Sequence, residues 1–442
     1  MKKNGLYIVL CALLMVLLLA PMVQHHYHPF KLKELNGAIV KVEKPELTFE
    51  AYRDLSYQTK LESYVSSNFG FHEWVIRLYN QYLWLFRKTY AADVVVGKDK
   101  WLYGVTSVKN YYRQASYEFA DSNQEMEQIL DKDVERLKKV QDMLDQRGVK
   151  CFMLICPSKD IIYPEFMPRN GKWVMGDGLV ALDYCLKAFE EQGVNYLDLC
   201  TWFAQIKDSV DYPIFPRTGL HWSDAASVYA ADTLIRYMEQ LTGKNIPNIQ
   251  IGPLFESETW YPDNDLERSM NLMWAIQPNK NLYTTTSIIP DSTAQPLRLL
   301  TIGDSFFWNF GYTLPMEEIF ETHHHWYYFN SVFFDPEHTS VSEINLLDEF
   351  SHTDVVMLCY NASKLYGFNF GFLSRALVEL SLDDPESLNR IIDGIKRRME
   401  NNEEWYESMK QKAVQRGKTL DEVMREDALY LIGQKPEDYL DD

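Results

Sequence analysis

From Ser122 onward, apolar residues return every third or fourth position: Met126, Ile129, Leu130, Val134, Leu137, Val140 and Leu144 fall on one stripe. That spacing predicts an amphipathic helix. Ser122 with Glu125 three residues later is a capping-box start, and Gly148 is a stop. The period then changes. Positions 149–156 are apolar apart from Lys150, as in a strand buried on both faces. A second round follows, with a helix over 181–191 closed by Gly193 and a strand over 194–199. A third helix is predicted over 224–241, and further strands over 296–300, 326–329 and 354–360. Helix, glycine, strand, repeated, is the grammar of a parallel α/β sheet flanked by helices. Outside this core, 48–90 reads as helical and 93–103 as a hairpin around Gly97-Lys98-Asp99-Lys100. Residues 245–295, rich in Asn, Pro and Thr, have no clean period and read as a long insertion over the active face, with a small subdomain as the alternative. The last sixty residues are polar helices, with a second capping box at Thr419 and Glu422.

The N-terminus adds a different element. Lys2 and Lys3 precede an uncharged run over 6–23, at the lower length limit for a membrane-spanning helix. Lysines ahead of the run place the N-terminus in the cytoplasm. Cleavage after Ala20 is disfavoured by bulky Leu18 and by Pro21, so an uncleaved single-pass anchor in the cell (inner) membrane is expected, with the rest extracytoplasmic or periplasmic. The expected organisation is N-terminus and anchor 1–24, tether, helices and hairpin 25–110, α/β domain 111–380 and C-terminal helices 381–442. A 46% hydrophobic and 24% charged composition is that of a globular chain, and a net charge of −19 argues against nucleic acid as a ligand. Of six cysteines, Cys11 is in the anchor, and Cys151 and Cys156 point to opposite faces of one strand. No disulfide framework or Cys metal site is visible. His25, His26 and His28 sit in the tether, and His323, His324 and His325 would diverge in a strand. No metal or cofactor is expected.

The chemistry centres on Gly303-Asp304-Ser305, which follows the strand at 296–300 and so places a hydroxyl at the carboxyl edge of the sheet. A serine hydroxyl needs a base to become a nucleophile, and the loop Arg217-Thr218-Gly219-Leu220-His221-Trp222-Ser223 offers His221. Asn361, past the strand at 354–360, lies at the same edge and is a candidate oxyanion donor or turn cap. Trp222 and Arg217 are candidate glycan contacts, with packing and local ion pairing as their ordinary alternatives.

Taken together, these segments resemble the SGNH-like acetyltransferase family of the alginate O-acetylation proteins AlgJ and AlgX, from about Asn68 to Leu380. The markers are Asn68-Phe69-Gly70-Phe71, Val96-Gly97-Lys98-Asp99-Lys100-Trp101-Leu102, Pro157-Ser158-Lys159 with Tyr163-Pro164-Glu165, Thr218-Gly219-Leu220-His221-Trp222, and Gly303-Asp304-Ser305-Phe306. The resemblance implies an SGNH-hydrolase-like fold and a membrane-anchored polysaccharide O-acetyltransferase. Ser305 would be the nucleophile and His221 the base, with a polysaccharide acceptor and, in some members, an MBOAT-type membrane acyltransferase as partner. The family motif carries Asp two residues before the histidine, where this chain has Gly219. Asp224, Asp304 or a backbone carbonyl could orient His221 instead. A non-catalytic glycan-binding or scaffolding subunit and a carbohydrate acetylesterase are the alternative functions.

Overall fold

The computed structural model describes residues 2–37, 42–89, 91, 93–169 and 171–434, so Tyr90 at the end of the predicted helical stretch and residues 435–442 of the C-terminal segment lie outside the described residues. Helix α1, Lys2–Tyr27, carries the apolar run, and its stretch Gly5–Tyr27 is long and apolar enough to cross a membrane. Helix α2, His72–Leu85, leads to the hairpin β1 (Val94–Val96) and β2 (Leu102–Gly104). Next come α3 (Asn123–Asp145), β3 (Lys150–Cys156), α4 (Ala181–Gln192), β4 (Tyr196–Asp198) and α5 (Asp224–Thr242). The local signals work as physics requires: the Ser122 hydroxyl accepts from Glu125 N at 3.1 Å, and Gly193 closes α4 at φ 68°.

The stretch without a clean period is ordered. It holds two antiparallel ribbons, β5 (Ile249–Ile251) with β8 (Thr286–Ile288) and β6 (Phe255–Glu258) with β7 (Lys280–Tyr283), around a short helix α6, Asp265–Ser269. The chain then enters β9 (Leu297–Gly303), β10 (Phe320–Tyr327), β11 (Ser331–Phe333), β12 (Val355–Asn361) and α7 (Phe372–Asp383). Helices α8 (Pro385–Asn401), α9 (Glu403–Arg416) and α10 (Leu420–Gln434) follow, with a hydrophobic cluster of their own.

The main sheet has the order β11-β10-β9-β12-β3-β4. Five strands are parallel, and β11 pairs antiparallel on the edge, so the sheet is mixed rather than wholly parallel. Side chains alternate between two cores. Cys151, Met153 and Ile155 of β3 pack beside α3 and α4, while Phe152, Leu154 and Cys156 face α5. This is the period of two expected of a strand covered by helices on both faces. All five cysteines beyond α1 are buried free thiols. The carboxyl ends of β9, β12 and β3 coincide at Asp304, Asn361 and Pro157, which fixes where the site lies.

Candidate active site

Two backbone constraints present Ser305. Gly303 ends β9 so close to β12 that a Cβ there would overlap the Cys359 carbonyl. Asp304 then caps a single 3-10 turn, Ser305–Phe307, accepting from Phe306 N and Asn361 N, both at 2.9 Å. Asp304 is 2% exposed, and burial raises its pKa against the pull of those two N–H groups. It therefore braces the turn.

The His221 loop is held from three sides. Leu102 N donates to Arg217 O (2.9 Å), Glu267 N to Thr218 O (3.1 Å) and Ser223 N to Ile214 O (2.8 Å). Beneath it lies Lys159, 1% exposed, whose Nζ reaches the carbonyls of Leu102 (2.8 Å), Pro216 (2.7 Å), Gly219 (2.7 Å) and Arg217 (3.2 Å). The rings of Trp101 and Tyr103 cover the same ammonium at 5.0 and 5.3 Å. Burial holds the Lys159 pKa well below the ordinary lysine range, opposed by the charges of Asp265 and Asp263.

Held in this way, His221 Nε2 lies 2.7 Å from Ser305 Oγ and Nδ1 lies 2.6 Å from Asp265 Oδ2. The pattern fits the tautomer in which Nδ1–H donates to the carboxylate and Nε2 accepts from the hydroxyl. Asp265 is aimed by its second oxygen, which accepts from Leu220 N (2.7 Å) and Leu266 N (2.6 Å). The His221 and Asp265 side chains are 15% and 16% exposed, enough to be reached from solvent while mostly shielded. The arrangement can take a proton from Ser305 and stabilise the resulting imidazolium.

The carboxylate comes from neither sequence candidate. The Asp224 backbone N–H donates to Asp263 Oδ1 (3.1 Å), and its carboxyl, pushed up to about 6 by burial, meets Thr284 N–H and Trp260. Asp304 serves the serine turn. Nor could position 219 hold the carboxylate, because a Cβ there would meet Asp263 O and Pro216 Cγ, both at 2.7 Å. Asp265 stands 44 residues beyond His221, inside the aperiodic insertion. The one local signal was Tyr261-Pro262-Asp263-Asn264-Asp265, a turn cluster ahead of a short helix. Lys159 was legible only as a family marker.

Other expected contacts resolve differently. Trp222 is fully buried among Phe203, Phe306 and Phe310, so it packs under the loop and cannot stack on a sugar. Arg217 donates to Pro278 O (2.7 Å), which ties the His loop to the insertion. The Asn361 carboxamide donates to Pro157 O (2.5 Å) and accepts from Ser363 N and Oγ (3.0 and 2.5 Å), bracing the loop after β12.

A Ser-His-Asp chain at the carboxyl edge of a largely parallel, helix-covered sheet defines an SGNH-hydrolase-like domain. Over part of its length the chain is similar to the AlgJ and AlgX proteins: residues 94–301 match the family model described as the SGNH hydrolase-like domain of the acetyltransferase AlgX. A curated relative, the probable alginate O-acetylase AlgJ of Pseudomonas aeruginosa, is 26% identical over 241 residues, 49% of this chain and 57% of that protein. Among solved structures, the O-acetyltransferase domain of Pseudomonas putida AlgJ is 15% identical, with a TM-score of 0.42 over 64% of this chain and 98% of that one. Bacillus cereus PatB1 with a sulfonyl adduct is 14% identical, with a TM-score of 0.38 over 63% and 99%.

Proposed function

We propose that this chain is a membrane-anchored, extracytoplasmic polysaccharide O-acetyltransferase that works through an acetyl ester on Ser305. The observation that carries the reading is the continuous hydrogen-bonded chain Ser305–His221–Asp265. In the first half-reaction Ser305 Oγ attacks the donor's acetyl carbonyl while His221 Nε2 takes the hydroxyl proton. The tetrahedral adduct collapses, the donor's leaving group departs with that proton, and acetyl-Ser305 remains. In the second, a glycan hydroxyl gives its proton to His221 and attacks the ester. The Ser305–acetyl bond breaks, and His221 returns the proton to Oγ. Asp265 holds the imidazole in register and offsets its charge in both steps. The backbone N–H of Ser305, at the head of its turn, is our choice for the oxyanion donor.

A carbohydrate acceptor is supported by exposed aromatic rings beside the triad. Tyr261 and Tyr312 meet edge to face at 5.6 Å, both about half exposed, and Tyr261 is near enough to Asp265 to feel its charge. The anchor reading rests on α1, and an acetyl donor delivered by an MBOAT-type membrane acyltransferase belongs to the same proposal. The non-catalytic alternative rests on the missing carboxylate at position 219, and the Asp265 carboxylate 2.6 Å from His221 Nδ1 weighs against it. A carbohydrate acetylesterase would use the same three residues. Intact-mass spectrometry after exposure to an activated acetyl ester tests the proposal, with Ser305→Ala as control. One acetyl adduct, absent in the variant and discharged only when glycan is added, is expected. Discharge to water at the same rate without glycan would make the protein an esterase, and no adduct on folded protein would refute both enzyme readings.

A further inference from the structure

Helix α2 is built inside out. Its polar residues face the protein: Arg77, 6% exposed, donates to Leu272 O (3.1 Å) and Glu34 O (2.7 Å). Asn80 donates to Met270 O (2.8 Å), and the Gln81 side chain accepts from Trp274 N (3.0 Å). Trp84 is buried against Leu266 and Met270, but a set of the helix's other apolar residues faces outward. Val75, Leu78, Tyr79, Tyr82 and Leu85 are 48–71% exposed and fall at three- and four-residue steps along one stripe, which Phe86 extends just past the helix. A helix facing water shows the reverse arrangement, and a contiguous apolar stripe on a soluble surface marks an interaction site.

The start of α2 is tied to the end of α1. Gly70 lies so close to the last turns of α1 that a Cβ would overlap the Pro21 carbonyl, and Phe30, Phe71 and Trp74 close the junction with ring centroids 5.6–6.2 Å apart. Resting on the reading of α1 as a membrane anchor, we propose that the outer face of α2 lies in the headgroup–acyl boundary of the bilayer that α1 crosses. Continuity favours lipid over a protein partner, since a helix fixed at the point where the span leaves the bilayer must meet its surface. The stripe itself suits that place. It carries no charge, its two tyrosines are amphipathic rings of the kind found at headgroup depth, and Lys88 follows where a long basic side chain can reach phosphates, while Arg87 lies over the Trp84 ring at 5.1 Å. The polar face of α2 meanwhile holds the backbone of 270–274, directly after the helix that bears Asp265. The same helix that rests on lipid therefore supports the wall of the active site.

The test uses the full chain in phosphatidylcholine vesicles, with Cys11→Ser as background and an environment-sensitive label on Leu78→Cys, Tyr82→Cys or Leu85→Cys. Leu13→Cys in α1 is the positive control, and Val414→Cys in α9, 83% exposed, is the negative one. Shallow nitroxide lipids should quench the three α2 labels about threefold or more above the label at 414. If the α2 labels are quenched by aqueous iodide and not by lipid while the label at 13 is quenched by lipid, the anchor stands and the proposal falls, leaving the stripe to a protein partner or to water. If the label at 13 also escapes lipid, the anchor reading and the proposal fail together.

Discussion

The two halves of the triad are built on different principles. Ser305 and His221 sit on short turns fixed by the sheet, through Gly303 packed on β12, Asp304 bridging to Asn361, and Lys159 gathering the carbonyls that lead into the histidine. Asp265 sits on a five-residue helix inside an insertion, linked to the body by Leu220 N, by Glu267 N on Thr218 O and by the cluster of Leu266, Met270 and Ile276 against Trp84 and Leu102. The chemistry requires only an acceptor aimed at His221 Nδ1. Any element that reaches that point can supply it, and here glycine stands at the local motif position while a distant loop places a carboxylate against His221.

The largest effect expected from this contrast is at Asp265. Asp265→Asn should lower kcat by about 10⁴, the scale seen when the equivalent carboxylate is lost from a serine protease, with KM little changed. Moving the carboxylate back sharpens the comparison. Gly219→Asp in the Asp265→Asn background should restore less than about tenfold, because the new Cβ collides with Asp263 O and Pro216 Cγ. Recovery to near wild-type kcat would show that the loop can relax and that the insertion is dispensable.

A smaller loss is expected beneath the His loop. Lys159→Met leaves four carbonyls without their shared donor and should cost about 3 kcal/mol in urea unfolding. Loss of loop placement should lower kcat of the folded variant by about 10-fold to 100-fold.

The smallest effect concerns Asp224, which the sequence offered as an orienter and the structure buries beside Asp263. Its folded pKa of about 6 lies above the ordinary aspartate value of 3.8, so the stability it contributes when protonated is present below about pH 4 and lost as pH rises through about 6. Asp224→Asn should therefore be more stable than wild type by about 2 kcal/mol at pH 7.5 and no more stable at pH 4, measured by thermal unfolding. Its activity should stay near wild type.

What was legible follows the same division. The helix–glycine–strand grammar located α3, β3, α4, α5 and the strand ends because burial on both sheet faces leaves a periodic record in the sequence. Ser305 and His221 were visible because each stands next to a strand or helix with a clear boundary. Asp265 left no such record, since a carboxylate on a short helix in an Asn- and Pro-rich stretch looks like any solvated turn until the chain folds back 44 residues onto His221. Strand β11 was missed for a related reason: three residues on an antiparallel edge are too few to show a period. Trp222 was ambiguous because the same aromatic residue suits a core and a sugar, and only its complete burial decides.

The most direct test of the central claim is the time course of acetyl-Ser305 formation, followed by intact mass in wild type, Asp265→Asn and Asp224→Asn. A triad completed by Asp265 predicts acylation about 10⁴-fold slower in Asp265→Asn and within about threefold of wild type in Asp224→Asn. Wild-type acylation in Asp265→Asn, or an equal collapse in Asp224→Asn, would contradict it.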